Sequence, residues 1–391
     1  MLEYGYRIER LMAEDWVKPI ENSIEGIRRG MTHFDGVEFD LRLTTDGELV
    51  LFHDNHLSKQ QIEQIGGSKW TEDHTSEELA ELGISSFSEL LSNDVFANAW
   101  REHGKVACVE LKMPHPNSKI AGSVNPRKRG KHARAMAKLT DSMLNEVGLE
   151  QTNVVIFSFK RRFRHACARA NVRWPVAQLQ PSIPELGGKR MKRILAIPSF
   201  MWLSLAFHLK HQQSVGAPFL PCGLEYVHGY TRHLTLGRTF GLTGYTSRRL
   251  NRLRQGYQLY VWPTPIAIED SLHTLGLTGM TDDASPHTVT YPGGRARWTR
   301  WASQPLDPER EALLRDADEE DHVALVEEAA REVTPWHELT DIERRGFLSL
   351  WRKRWSWERD IDELAEDASP NTMPWEVSRL IGHRGSGKDF K

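Results

Sequence analysis

Strand and helix patterns alternate along most of the chain. Residues 22–30 predict a short helix, with Asn22 as its N-cap and Gly30 as its stop. Apolar and polar residues then alternate over residues 37–43, which is the period of a β-strand. A turn signal at residues 45–47 leads into a second strand, ELVLFHD at residues 48–54. Because the link is too short for a parallel crossover, we expect these two strands to form an antiparallel hairpin.

Six more strand patterns follow, separated by helical stretches such as residues 132–147. They are KVACVELK (105–112), NVVIFSF (153–159), WPVAQLQ (174–180), CGLEYV (222–227), YQLYVW (257–262) and TGMTD (278–282). Such alternation of strand and helix predicts parallel strands in a sheet or a barrel. With the hairpin arm set aside, seven barrel-type strands lie between residues 36 and 282, so a closed eight-stranded barrel needs one more.

The composition changes after residue 295. Residues 307–332 hold eleven acidic residues and three arginines, and residues 338–366 mix charges with three tryptophans, so both stretches predict amphipathic helices with solvated faces. The last residues return to a strand pattern, in which Leu380 and Ile381 precede Gly-His-Arg-Gly at residues 382–385.

Composition excludes several classes of protein. The 391 residues carry 51 Lys and Arg against 53 Asp and Glu, a net charge of −2, so we expect no nucleic-acid partner. The 13 Trp and 14 Phe exclude a disordered chain, and three cysteines without a CxxC pair argue against a disulfide scaffold or a thiolate zinc site. Residues 1–16 lack the apolar run of a signal peptide, and the chain has no stretch of about 18 uncharged apolar residues that would cross a membrane. We therefore expect a cytoplasmic protein.

Paired carboxylates predict a metal site. Glu38 and Asp40 lie two residues apart on one strand, so both project from the same face, which is the interior of a barrel whose other positions are apolar. Glu110 and Lys112 repeat this spacing on the next barrel strand. Buried carboxylates are costly unless a cation or hydrogen-bond donors neutralise them, and three convergent oxygens suit Mg²⁺ or Ca²⁺. The alternative for Glu38 and Asp40 is an ordinary half-exposed edge strand.

These motifs resemble the glycerophosphodiester phosphodiesterases, a family of metal-dependent phosphodiesterases with a barrel fold. The segment GVEFDLRLTTDGELVLFHD (36–54) resembles the family's core signature, and residues 20–22 (Ile-Glu-Asn) resemble the helix start that precedes it. The later strand ends match at residues 110–112, 158–159, 261–262 and 279–282. The family continues its Val-Trp pair with Thr and then Val-Asn, where this chain has Pro-Thr-Pro at 263–265, so we expect substrate preference to differ.

A displaced first strand explains where the remaining motif lies. The family's first strand ends in Gly-His-Arg-Gly, which occurs here once, at residues 382–385. In a closed barrel the eighth strand lies beside the first, so a return connection would deliver residues 379–385 into the first slot. We therefore predict an α/β fold, a circularly permuted TIM (β/α)8 barrel with a helical insertion before its last strand. A chance tetrapeptide, a fragment of a tandem chain and a strand exchanged with a second molecule are the alternatives.

This prediction divides the chain into three segments. Residues 1–295 would supply strands two to eight of the phosphodiesterase barrel, with an insertion at 181–221. Residues 296–375 would form the helical connection, and residues 376–391 the first barrel strand with its His-Arg-Gly motif.

The resemblance also implies roles for the matched residues. Glu38, Asp40 and Glu110 would hold one divalent cation, Mg²⁺ or Ca²⁺. His383 and His53 would serve as general base and acid, because the ordinary pKa of histidine suits both roles near neutrality.

Three further residues would bind the substrate. Arg384 would offer a bidentate fork to the phosphate, Lys112 would add a positive charge beside the metal, and Trp262 would line the site. The implied activity is hydrolysis of a glycerophosphodiester to glycerol 3-phosphate and an alcohol. A phospholipase D-like enzyme acting on lysophospholipids and a non-catalytic barrel with a disrupted site are the alternatives.

Basic clusters follow several predicted strand ends, at residues 127–134, 160–164 and 189–193. Such a rim would attract an anionic phosphodiester, and solvated helix faces are the alternative. The last cluster continues directly into the apolar run ILAIPSFMWLSLAF at residues 194–207. Residues 189–207 therefore predict either a helix that covers the barrel or a peripheral contact with a membrane, in which case a lysophospholipid is the expected substrate.

Overall fold

Nine strands form one sheet in the computed structural model, which describes residues 16–121, 125–184 and 188–387. Residues 1–15, on which the prediction about a signal peptide rests, lie outside the described residues. The last four residues of the predicted C-terminal segment, 388–391, lie outside them too. The strands are β1 Gly36–Leu43, β2 Leu49–Leu51, β3 Val106–Leu111, β4 Val154–Ser158, β5 Val176–Gln178, β6 Phe219–Gly223, β7 Gln258–Thr264, β8 Thr278–Thr281 and β9 Leu380–Gly382.

Eight of these strands run parallel around a barrel. Their order is β5, β4, β3, β1, β9, β8, β7 and β6, and a parallel bridge between Gln180 and Cys222 joins the two ends of the sheet. Helices surround the strands, as in a TIM barrel, so the predicted TIM-barrel fold is confirmed. The interior is apolar through most of its height, and the side chains of Phe219 and Tyr260 stack there with ring centroids 3.6 Å apart.

The ninth strand, β2, pairs antiparallel with the end of β1, so the predicted hairpin is confirmed. The prediction was wrong for β6, which covers residues 219–223, while residues 224–226 form a 3₁₀ turn. Pro221 obscured this strand, because proline cannot donate to a ladder and argues against a central strand. The Pro221 carbonyl still accepts from the Gln180 amide at 3.0 Å, which is the contact that closes the barrel.

Fifteen α-helices lie within the described residues. They are α1 Ile24–His33, α2 Lys59–Ile65, α3 Ser76–Ala80, α4 Phe87–Leu91, α5 Asp94–Glu102, α6 Pro126–Glu146, α7 Phe163–Ala170, α8 Lys189–Trp202, α9 Leu205–Ser214, α10 Gly244–Arg254, α11 Ile266–Thr274, α12 Pro308–Asp316, α13 His322–Glu332, α14 Asp341–Trp355 and α15 Ile361–Glu366. The described helices include none that is both long enough and apolar enough to cross a membrane.

The predicted ends of α1 were wrong at both termini. Ser23, not Asn22, is the N-cap, and its hydroxyl accepts from the Gly26 amide. The helix continues through Gly30 to His33. Gly30 serves packing instead, because a Cβ there would lie 2.3 Å from the carbonyl oxygen of Gly385, in the C-terminal turn.

The last strand of the chain, β9, lies between β1 and β8 and runs parallel to both. Asp35, just before β1, anchors it from below: its fully buried carboxylate accepts from the backbone amides of Leu380, Ala302 and Ser303 at 2.8–3.0 Å. The same carboxylate therefore ties β1 both to β9 and to the connection that leads to it.

Replacing Asp35 should destabilise the protein strongly. Asp35→Ala leaves three buried amides without an acceptor, at about 1–3 kcal/mol each, so we expect the free energy of unfolding to fall by at least about 3 kcal/mol in urea titrations. The matched control is Asp362→Ala, which breaks an exposed ion pair with Arg345 and should cost less than about 1 kcal/mol. Equal stability of the two variants would contradict the anchoring role.

The helical connection packs under the end of the barrel where the strands begin. Trp355 and Trp357 belong to a buried cluster of this segment. A Cβ on Gly276, just before β8, would lie 2.5 Å from the Trp355 ring, and one on Gly256, just before β7, would lie 3.1 Å from Trp357. The connection thus forms a floor to the barrel and leaves free the opposite end, where the strands finish.

Candidate active site

Three buried carboxylates meet at the end of the barrel where the strands finish. Glu38 and Asp40 lie on β1, and Glu110 on β3 is the register partner of Asp40. Each of the three residues is at most 6% exposed, and each offers an oxygen that lies within 4.8 Å of the others. The structure therefore brings together the three predicted metal ligands.

The charges of these groups are strongly coupled. Burial and the neighbouring carboxylates Asp40 and Glu110 raise the pKa of Glu38 well above its usual range. Burial alone would also raise the pKa of Asp40, but the charge of Lys112 holds it well below the usual range. The Lys112 ammonium lies 2.9 Å from Asp40 Oδ1 and 2.7 Å from Glu110 Oε1. One lysine therefore bridges two of the three carboxylates, while on Glu38 burial and repulsion outweigh the opposing charges of Lys112 and Arg384.

His383 reaches this cluster from the opposite end of the chain. It follows β9 directly, and its Nε2 lies 3.7 Å from Glu38 Oε2. Its Nδ1 is hydrogen-bonded to Asp282 Oδ1 at 2.7 Å. An imidazole held at Nδ1 by a carboxylate keeps a fixed orientation and leaves Nε2 to exchange protons. Asp282, which directly follows β8, is a site residue to which sequence reasoning assigned no role.

His53 has a similar arrangement at the end of the hairpin arm. Its Nδ1 is hydrogen-bonded to Asp54 Oδ1 at 2.8 Å. Burial and the charge of Lys112 lower the pKa of His53 to about 3, so the imidazole is neutral and close to the carboxylate cluster. The His53 carbonyl accepts from the Arg42 guanidinium at 2.7 Å, and Arg42 is itself paired with the buried Glu72. Each of the two histidines therefore has an aspartate on one ring nitrogen.

A strained turn positions Arg384. Its backbone is left-handed, with φ at 53°, which is uncommon for a residue with a side chain. In this conformation its backbone amide donates to Glu38 Oε2 at 2.9 Å, while its guanidinium pairs with both carboxylate oxygens of Glu21 at 3.0 Å. Gly385 follows with φ at 88°, and a Cβ there would lie 2.5 Å from the backbone of Gly26. The turn therefore needs a glycine after Arg384.

Asn22 orients Asp40. Its side-chain amide donates to Asp40 Oδ2 at 3.0 Å, and its side-chain oxygen accepts from the Asp40 backbone amide at 2.9 Å. This double contact explains why Asn22 is not the N-cap of α1 that the sequence predicted. Asn22 belongs to the helix start that resembles the family's motif, which was a signal in the sequence for a role at the site. Its position just before the helix pattern suggested only an N-cap.

Trp262 lies at the end of β7 and is partly buried. Its ring packs edge-to-face on Phe159, with centroids 5.2 Å apart, and the Lys112 ammonium lies 5.8 Å from the Phe159 ring centre. Trp262 thus forms an aromatic wall that reaches the carboxylate cluster through Phe159.

Members of the predicted basic clusters approach this site. Burial, together with the charges of Lys192 and Arg129, lowers the pKa of Lys160 to about 7. The Lys160 ammonium donates to the Ile183 carbonyl at 3.1 Å. Residues from all three clusters therefore lie near one another, on the side of the carboxylates.

The donor set fits a hard divalent cation. Three carboxylate oxygens that converge in a buried site are the ligands that Mg²⁺ and Ca²⁺ prefer. The raised pKa of Glu38 and Glu110 reflects burial and mutual repulsion, which a bound cation would relieve.

Part of the chain is similar to known sequences. Residues 9–195 match the sequence model of the Glycerophosphoryl diester phosphodiesterase family. A curated glycerophosphodiester phosphodiesterase of Bacillus subtilis (strain 168) is 27% identical over 161 residues, which cover 38% of this chain and 48% of the relative. The match thus spans about half the length of that relative.

Solved structures with similarity to the chain include several phosphodiesterases. A glycerophosphodiester phosphodiesterase from Parabacteroides distasonis is 17% identical, with a TM-score of 0.44, and the alignment covers 70% of this chain and 90% of that one. An Oleispira antarctica phosphodiesterase in complex with sn-glycerol 3-phosphate is 14% identical, with a TM-score of 0.43 and coverage of 68% and 88%. The fold assignment above stands on the strand pairing of this chain itself.

Proposed function

We propose that the protein belongs to the glycerophosphodiester phosphodiesterase family, whose sequence model matches residues 9–195, and that it hydrolyses glycerophosphodiesters to glycerol 3-phosphate and an alcohol. One observation carries the proposal. His383 Nε2 lies 3.7 Å from Glu38 Oε2, although 344 intervening positions separate the two residues in the sequence. The arrangement brings a histidine, an arginine and three carboxylates together at the free end of the barrel.

The proposal includes one divalent cation, Mg²⁺ or Ca²⁺, with Glu38, Asp40 and Glu110 as its ligands. Such a cation supplies Lewis-acid stabilisation of the charge that develops on the phosphoryl oxygens. Lys112, already paired with Asp40 and Glu110, would hold these carboxylates in place and add positive charge beside the phosphate.

The two histidines would move the protons. Both have Nδ1 bound to an aspartate, so each presents Nε2 as the group that exchanges a proton. One would accept a proton from the attacking water, and the other would protonate the oxygen of the leaving alcohol. Arg384 would orient the phosphate from its position against Glu21, and Trp262 would form one wall of the substrate site.

The proposal also includes a circular permutation relative to the family. The strand before His383 is the last in the chain, yet it pairs with β1 and β8, the neighbours that a first strand would have. Residues 1–295 with their insertion at 181–221, the connection 296–375 and the strand segment 376–391 would then make one enzyme. A cytoplasmic location stays a prediction.

A second candidate is a phospholipase D-like activity on lysophospholipids. The observation that favours it is the exposed apolar side of α8, whose first turn lies near the site. A substrate with an acyl chain would find apolar surface there. A non-catalytic barrel is the third possibility, and it predicts that neither substrate is turned over.

His383→Asn tests the proposal. Asparagine keeps a polar side chain of similar reach but cannot exchange protons, so we expect kcat to fall about 10²–10⁴-fold on glycerophosphocholine with Mg²⁺ or Ca²⁺ present. Phosphorus NMR of the products distinguishes glycerol 3-phosphate from a cyclic phosphate, and lysophosphatidylcholine tests the second candidate. His233→Asn, an exposed histidine of the 3₁₀ turn Tyr230–Leu234, is the control and should keep full activity. Absence of turnover by the wild type on both substrates, or full activity of His383→Asn, would contradict the proposal.

A further inference from the structure

The charge of the chain is distributed unevenly. Residues 186–268 contain eleven Lys and Arg but only one acidic residue, Glu225, although the whole chain has a net charge of −2. This segment includes β6, β7 and the loops and helices after β5 and β6. This segment of the chain therefore carries a strong excess of positive charge.

Helix α8 in this segment is apolar on its outward side. Met191, Ile194, Leu195 and Trp202 follow the i, i+3, i+4 and i+11 spacing of one helix face, and they are 44–70% exposed. The opposite face packs on the barrel, where Ala196 is buried. The outward apolar side thus contributes nothing to the core of this chain, and four large side chains in one stripe exceed the scattered exposure that is normal for a surface.

A second element extends this surface. In the loop after β6, Tyr230 is 79% exposed, and Leu234 and Leu236 are 44% and 49% exposed. The Leu236 amide donates to the Met201 carbonyl at 2.8 Å, which joins the loop to the end of α8. Both elements follow the finishing ends of barrel strands, so they lie on the same side of the molecule as the carboxylates. We call the outward side of α8 together with loop 230–236 the interfacial surface.

The basic residues beside this surface are not explained by helix stability. Arg190, Lys192 and Arg193 occupy the first turns of α8, where the positive end of the helix dipole disfavours cations. All three are at least partly exposed. Their position favours an external anion as their partner.

We propose that the interfacial surface binds anionic phospholipid membranes and holds the open end of the barrel against the lipid. Exposed aliphatic and aromatic side chains would enter the headgroup region, and the basic residues around them would attract anionic headgroups. A membrane fits better than a protein groove because the surface is an exposed apolar helix stripe with a cationic border, in a segment that contains one acidic residue. This inference goes beyond the proposed function, since binding to lipid requires no catalysis.

Sedimentation with vesicles tests the inference. We expect the wild type to bind vesicles of phosphatidylcholine mixed with phosphatidylglycerol about tenfold or more tightly than pure phosphatidylcholine vesicles, with binding that weakens as salt rises. The double variant Ile194→Glu with Leu195→Glu should lose about tenfold or more of this binding, and Arg190→Gln with Arg193→Gln a similar factor at low salt. Ile342→Glu is the matched control, since Ile342 is 84% exposed on the floor of the barrel, and it should bind as the wild type does.

Three results would overturn the inference. They are failure of the wild type to bind either vesicle, equal binding by the wild type and the Ile194/Leu195 variant, and equal loss in the Ile342 control. Analytical ultracentrifugation provides a fourth: a dimer of the wild type that the Ile194/Leu195 variant abolishes, without vesicle binding, would assign the surface to a second copy of the chain. Turnover of water-soluble glycerophosphocholine should be unchanged in the Ile194/Leu195 variant, which separates failure of this inference from failure of the proposed function.

Discussion

Glu38→Gln should lower phosphodiesterase activity by at least about 10³-fold, because a metal ligand contributes several kcal/mol of transition-state stabilisation and each tenfold in rate corresponds to about 1.4 kcal/mol. The amide has the shape of the carboxylate but not its charge, so the change removes one ligand of the proposed cation with little disturbance of packing. Steady-state rates at saturating Mg²⁺ or Ca²⁺ measure the effect.

The same variant should not destabilise the metal-free protein. Burial and repulsion from Asp40 and Glu110 raise the pKa of Glu38, so its charged form opposes folding near neutral pH. Urea titrations in the presence of a chelator should therefore give Glu38→Gln a free energy of unfolding equal to or above that of the wild type. Added cation should stabilise the wild type, because a ligand that binds only the folded state shifts the equilibrium toward it, and should stabilise the variant much less.

A matched control makes this prediction specific. Glu63→Gln makes the same chemical change on the exposed side of α2 and should alter neither activity nor the response to cation. Retention of activity by Glu38→Gln, or equal stabilisation of both proteins by the cation, would contradict the metal assignment.

The sequence predicted the barrel because its strands repeat a local pattern, but it could not resolve choices that depend on tertiary contacts. Asn22 and Ser23 are equally good caps by type, and the structure uses Ser23 because the Asn22 side chain binds Asp40. Likewise Asp282 carries no periodic signal, and only the pairing of β8 with β9 brings it to His383. The spacing of the carboxylates was readable, because residues two apart on a strand share a face.

The floor of the barrel explains why the connection between β8 and β9 is long. A return from β8 to β9 needs only one crossover, yet about 100 residues separate these strands. The extra residues place a tryptophan cluster under β7 and β8. They also supply two of the backbone amides that donate hydrogen bonds to the Asp35 carboxylate. The connection therefore covers the end of the barrel opposite the carboxylate cluster and fixes the strand that leads to His383. Its length follows from that structural task.

Removing residues 376–391 should abolish the folded state together with activity. The deletion takes β9 out of the middle of the sheet, which exposes the edges of β1 and β8 and leaves the Asp35 carboxylate without Leu380. We expect the truncated protein to lose its cooperative thermal transition by near-ultraviolet circular dichroism. A chain ending at Gly387 is the control and should fold and turn over substrate normally.

A milder change tests the turn that carries His383 and Arg384 separately from strand β9. Gly385→Val places a β-branched side chain at a φ of 88° and against the backbone of Gly26, so it should displace His383 and Arg384 while β9 stays paired. We expect a folded protein with a loss of activity close to that of His383→Asn. A truncated protein that folds and turns over, or a fully active Gly385→Val, would refute the role of the C-terminal segment.

Complementation decides whether each chain closes its own barrel. Glu38→Gln and His383→Asn are damaged in different segments of the same site. Suppose that the C-terminal strand is exchanged between two molecules. Unfolding and refolding an equimolar mixture would then create some sites with both the wild-type Glu38 of one molecule and the wild-type His383 of the other, and activity would return. If β9 pairs within its own chain, every site in the mixture keeps one lesion. We expect no activity above that of the two variants measured separately, because the contacts of His383 with Asp282 and Glu38 form within one chain.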